Sequence, residues 1–236
     1  MDNLVGSIAS DVAGLPPHVL QATVRRLFTK GLYVFEIIRA AGWPIWPLIA
    51  ASVIAVALII ERLASLRRSK VVPPGLLESI ATDLKGGQPN ADMIRRVAAH
   101  SPLGRVLAAG LRNVRSSREV MKEAIEEEGR AVTHDLERYL TTLGTIAAAA
   151  PLMGLFGTVV GMIEIFGSQT ATGSNPQQLA SGISIALYNT GFGLLVAIPA
   201  LIFHRYFRGR VDDFIVDMEQ QAIKLVEVVH GERAAK

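Results

Sequence analysis

Residues 141–167 read TTLGTIAAAAPLMGLFGTVVGMIEIFG, and residues 182–203 read GISIALYNTGFGLLVAIPALIF. The first stretch carries one charge, at Glu164, and the second carries none. At about 1.5 Å per helical residue, each is long enough to cross a hydrocarbon layer of about 30 Å. Residues 168–181, SQTATGSNPQQLAS, join them with a polar, neutral connection in which Gly173, Asn175 and Pro176 are turn formers. The pair reads as a transmembrane hairpin.

Working outward, residues 41–60 form a third apolar run, with Trp43 and Trp46 at its start, where indole rings favour the lipid interface. Glu61 and Arg62 end it. Ahead of it, residues 21–40 put Val24, Leu27, Phe28, Leu32, Phe35 and Ile38 on one helical face and Arg25, Arg26, Lys30 and Arg39 off it. Such a helix can lie along the bilayer surface or pack on another part of the protein. Residues 1–20 are weakly patterned, so no cleavable signal peptide is expected.

Residues 61–140 contain no apolar window of membrane length. Pro73, Pro74, the 86–89 Gly-Gly-Gln-Pro stretch and Ser101-Pro102 divide them into short helices. The last, from about Ser117, repeats Val120, Ala124, Ile125, Ala131, Val132, Leu136 and Leu140 at helical spacing and is expected to run into the second span as one rod, bending if anywhere at Gly129. After the third span, in residues 204–236, Phe207, Val211, Phe214, Met218, Ala222, Leu225 and Val229 continue the helix in the same way. The expected fold is an all-α membrane protein with three transmembrane helices. Its second and third helices extend into the cytoplasm beside a helical cytoplasmic domain.

Half of the 236 residues are hydrophobic, and they are clustered in runs, as in a multispanning membrane protein. There is no cysteine, hence no disulfide frame, thiolate metal site or thiol nucleophile. The net charge is +3, and the basic residues lie outside the long apolar runs, so they orient the chain against lipid and do not suggest nucleic acid binding. No Gly-rich phosphate loop, nucleophile with a base, or metal-ligand cluster argues for an enzyme, a metal or a cofactor.

Orientation follows from the short flanks. The first span has four basic residues close on either side, but residues 168–181 have none while Arg205, Arg208 and Arg210 follow the third span at once. By the positive-inside rule the N-terminus and the hairpin tip lie outside, and residues 61–140 and 204–236 lie in the cytoplasm.

Within the hairpin, Gly154, Gly157 and Gly161 on the second span, and Gly182, Ala186, Gly193 and Ala197 on the third, form small faces that let helices approach closely in lipid. Pro151 and Pro199 each remove a helix donor, so bends are expected there. Thr158 and Thr190, counted from the outer ends of their spans, sit about 12–14 Å deep. Their hydroxyls can bond their own backbone or a neighbouring helix. They can also form a polar ring if several copies surround an axis. Tyr188 and Asn189 lie at similar depth, and Asn189 has to face protein or water. Glu164, near the outer mouth, is a gate, a pairing site for a cation, or a side chain reaching the headgroups. No Asp, Lys or His lies at mid-span, so a proton carrier has to come from another polypeptide.

Pro151-Leu-Met-Gly-Leu-Phe-Gly-Thr-Val-Val-Gly-Met-Ile and Gly182-Ile-Ser-Ile-Ala-Leu-Tyr-Asn-Thr-Gly-Phe-Gly-Leu-Leu-Val-Ala-Ile-Pro, on adjacent spans of a three-span layout, resemble the MotA/TolQ/ExbB proton-channel family, its ExbB side most closely. The resemblance implies an inner-membrane homopentamer whose second and third helices line a pore. An ExbD-like single-span partner then brings a proton-carrying aspartate, which Thr158 and Thr190 face, and a TonB-like protein takes up the work for outer-membrane transport. A TolQ-like motor for envelope integrity, a gliding motor, and a non-conducting membrane scaffold are the alternatives. Many members carry a glutamate where this chain has Ile185, which leaves Glu164 as a possible substitute.

Overall fold

The computed structural model describes residues 41–85, 89–167 and 176–230, and among these every regular element is an α-helix. In chain order they are α1 (Ile45–Ser65), α2 (Arg68–Val71), α3 (Leu76–Lys85), α4 (Ala91–His100), α5 (Pro102–Arg112), α6 (Arg118–Glu137), α7 (Leu140–Gly167) and α8 (Pro176–Val229). Three stretches are long and apolar enough to cross a membrane, within Ile45–Ser65, Arg118–Gly167 and Leu179–Val229. The amphipathic pattern of residues 21–40 lies outside the described residues, as do 168–175 of the hairpin connection.

The helix boundaries follow local chemistry. Gly75, at φ +79°, makes the turn between α2 and α3. The Asn90 side chain accepts from the Asp92 backbone N–H and opens α4. Ser101 accepts from the Gly104 N–H at 3.0 Å and, with Pro102 at the first helical position, opens α5. The third membrane helix starts at Pro176, six residues before the 182 expected from hydropathy. Proline suits a first helical position, and Gln, Leu and Ala then propagate the turn.

The described residues divide into two compact units, one containing 41–49 with 151–167 and 176–194, the other 50–85 and 89–150 with 195–230. In the second, Phe207, Val211, Phe214, Met218, Ala222 and Leu225 of α8 are buried together with Leu103, Leu107 and Leu111 of α5. On α6 the buried row is Met121, Ile125, Val132 and Leu136, whereas Val120 is 46 % exposed and Ala131 is also on the surface. The hydrophobic stripe expected from sequence was therefore drawn one row too wide. Arg105 of α5 ties α6 down from outside, donating to Glu128 at 2.9 Å and to Asp135 at 2.6 Å. That contact holds the Asp135 carboxyl below the usual aspartate range.

The expected single rod through α6 and α7 is broken. Arg138 has ψ 136° and Tyr139 has φ 68°, so two residues separate the helices, and Gly129 lies inside unbroken α6. The break is stabilised by Arg62 of α1, a buried arginine paired with Glu61. Its Nη1 donates to the Leu136 carbonyl at 3.2 Å, satisfying a group that the helix end leaves free. Its guanidinium also lies 5.2 Å from the centre of the Tyr139 ring.

Candidate functional site

In the first unit the outer parts of α7 and α8 pack almost backbone to backbone. A Cβ on Gly154 would come 2.9 Å from the Asn189 carbonyl oxygen and 3.3 Å from the Gly193 Cα. One on Gly161 would come 3.1 Å from the Gly182 carbonyl oxygen. Gly157 has room only for hydrogen, because the Asn189 side chain lies across it, and Gly182 is filled in the same way by Ile165. Ala186 is buried in the same seam. Close approach of this kind is what small residues provide in lipid, where burial supplies no hydrophobic drive between helices.

Asn189 is fully buried. Its Nδ2 donates to the Ile185 carbonyl one turn back at 2.9 Å and to the Ala41 carbonyl at 2.8 Å. The second bond fastens the approach to α1 onto the hairpin, with the Trp43 ring edge-on to Phe156 at 5.9 Å. Nothing in the sequence pairs position 41 with position 189. Trp43 thus stands beside Phe156, two residues from Thr158.

The glycine contacts fix an antiparallel register that places Thr190 within about 3 Å of the level of Thr158 along the helix axes. At about 100° per residue, both threonines fall on one edge of the seam, while Glu164 and Ile185 fall on the other, the edge that carries Asn189 and Ala41. Thr158 and Thr190 are half-buried, Glu164 is exposed, and Tyr188 is 38 % exposed. The Thr158 hydroxyl donates to the Leu155 carbonyl at 2.6 Å. With its proton engaged, it offers lone pairs to any group beside it. The helices continue through Pro151 and Pro199.

Within the second unit, the buried Ala197 lies on α8, and a Cβ on Gly144 of α7 would come 2.9 Å from the His204 Nε2. The His204 ring thus lies over bare backbone. No spacing rule in the sequence pointed to Gly144.

Residues 98–220 match the family model described as the MotA/TolQ/ExbB proton channel family. The chain is 34 % identical over 165 residues to the biopolymer transport protein exbB1 of Vibrio cholerae, covering 68 % of this chain and 72 % of that protein. It is 31 % identical over 172 residues to the putative biopolymer transport protein ExbB-like 3 of Synechocystis, covering 72 % and 82 % respectively. A putative ExbB homolog of Methanothermobacter thermautotrophicus is 29 % identical over 189 residues, covering 79 % and 67 %.

Proposed function

The chain belongs to the MotA/TolQ/ExbB proton channel family, and on that premise we propose that several copies surround an axis in a bacterial inner membrane, turning the Thr158/Thr190 edge of each hairpin toward a central passage. A single-span, ExbD-like partner occupies the passage and supplies an aspartate. The observation that carries this reading is that the two hydroxyls share one edge and one level of a seam whose remaining surface is almost wholly apolar.

The chemistry follows from what the threonines lack. A hydroxyl cannot hold an extra proton near neutral pH, but its lone pairs can accept a hydrogen bond from a protonated carboxyl. A partner aspartic acid is thereby steadied in its neutral form beside the threonines, and on losing its proton it gives up that bond. Alternation of the two states, driven by the membrane field at about 2.3 kcal/mol per charge per 100 mV, moves the partner relative to the ring. The N-terminus and hairpin tip then face the periplasm and the C-terminal part of α8 the cytoplasm. The load is a TonB-like protein that energises outer-membrane transport. A TolQ-like load uses the same ring with a different output, and a gene deletion that gives detergent sensitivity in place of iron-limited growth failure assigns it.

The test is the double substitution Thr158→Val and Thr190→Val in the complex with its partner, reconstituted in vesicles with a pH-sensitive dye. Loss of one hydrogen bond of about 1.4 kcal/mol per threonine lowers flux about tenfold or more. Unchanged flux overturns the reading. Absence of flux in the unsubstituted complex under an imposed potential favours a non-conducting scaffold.

A further inference from the structure

The contact between α7 and α8 in the second unit carries a titratable ring that the threonine chemistry does not use. Leu143 and Ala147 of α7 and Ala197, Ala200 and Phe207 of α8 are buried there. On the same stretch of α8, His204 is half-buried, and its ring reaches across to Gly144 of α7. A Cβ at 144 would come 2.9 Å from the ring Nε2 and 3.1 Å from Cδ2, so a methyl group there would push the ring aside. Glycine thus lets the imidazole lie against α7, whereas its neighbours Arg205 and Tyr206 are exposed. Among the described residues neither ring nitrogen has a hydrogen-bond or ion-pair partner.

Along α8, Thr190, Ala197 and His204 are each seven residues apart, close to two helical turns, and so fall in one row. Between Thr190 and His204 the helix reads GFGLLVAIPALIF, and residues 140–157 of α7 read LTTLGTIAAAAPLMGLFG. Neither stretch holds a side chain that titrates near neutral pH. His204 is therefore the first group inward of Thr190 along α8, about 21 Å away, whose side-chain type both takes up and releases protons in that range. The charges beside it on α8 are Arg205 and Arg208, both exposed. α7, on which the ring packs, presents none in 140–157. Ahead of α7, Arg62 and Arg138 are gathered on the Tyr139 ring, and Glu61 pairs with Arg62.

We propose that His204 is a proton relay on the cytoplasmic side of the passage, in the row of Thr190. The proposal rests on the conducting reading above. A hydronium ion reaching the ring gives its proton to the free lone pair of one nitrogen, forming an N–H bond and leaving water. The N–H bond on the other nitrogen breaks, and its proton passes to a cytoplasmic water. The imidazole ends neutral in its other tautomer, and a half-turn of the ring resets it.

The test uses the complex with its partner, reconstituted in vesicles with a pH-sensitive dye. His204→Ala is expected to lower flux at least several-fold, and imidazole in the buffer to restore most of it by placing a diffusible base over Gly144. Pyrazole, of the same size but unprotonated near neutral pH, is expected to restore none, and imidazole to leave the unsubstituted complex unchanged. His204→Gln keeps bulk without titrating and is expected to lower flux as far as alanine does; it decides the matter if the alanine variant fails to assemble. Unchanged flux in an assembled variant, no response of the alanine variant to imidazole, or equal rescue by pyrazole overturns the proposal. If Thr158→Val with Thr190→Val stops flux and the His204 variants do not lower it, the threonine ring stands and the relay falls. If flux depends on His204 and not on the threonines, the relay stands and the ring falls.

Discussion

The outer hairpin and the α5–α6–α8 packing of the second unit use the same kind of element and hold it together by opposite means. Between Gly154 and Gly193 the helices meet on glycine and alanine, a single buried asparagine takes two carbonyls, and the large side chains Leu155, Phe156, Ile163 and Leu187 point outward. Between Phe207 and Leu225 the large side chains point inward, and charges such as Arg105, Glu128 and Asp135 stay on the surface. The difference lies in the solvent. Water drives bulky apolar groups together, whereas lipid is as apolar as they are and leaves only close contact and hydrogen bonds to hold helices.

Three substitutions test that contrast, in order of expected effect. Phe214→Ala removes a ring that is 1 % exposed and should cost about 3–5 kcal/mol, read as a large fall in the unfolding midpoint in mild detergent. Gly157→Ala drives a methyl group into the Asn189 side chain and should cost about 1–3 kcal/mol. Gly129→Ala is the matched control: nothing lies within 4 Å of its added methyl, and inside α6 it should stabilise by about 0.5–1 kcal/mol. If Gly157 tolerated alanine as Gly129 does, backbone contact would not be what holds the seam.

The smallest effect belongs to the surface. Asp135 is held below the ordinary aspartate range, chiefly by its hydrogen bond from Arg105. Its contribution is complete above about pH 4, the unfolded value, and is lost as pH falls through the lower folded value. Asp135→Asn should therefore cost about 0.2–1 kcal/mol at neutral pH and flatten the acid limb of stability against pH. An unchanged acid limb would remove this ion pair from the account.

Much of this was legible in residue order. Hydropathy located three spans because a membrane reads each segment by itself. The steps of three and four residues from Phe207 to Leu225 foretold the buried row of α8, since a continuous helix turns a sequence period into a face. The small faces of the hairpin were visible for the same reason, through Gly154, Gly161, Gly182, Ala186 and Gly193. The stripe on α6 was less well drawn, because Val120 and Ala131 fit the period but lie on exposed rows of the helix.

The sequence by itself determined the helices, their membrane length and the small-residue faces, all of which are properties of neighbours along one element. The tertiary structure alone decided three things: that Arg62 stabilises a break at Arg138–Tyr139, that Asn189 reaches Ala41, and that Thr158 and Glu164 lie on opposite edges of one seam. Each depends on a second segment far away in the chain. A carbonyl left free at a helix end, or an amide buried in a seam, takes whichever partner the packing brings within about 3 Å, and local pattern does not encode that distance.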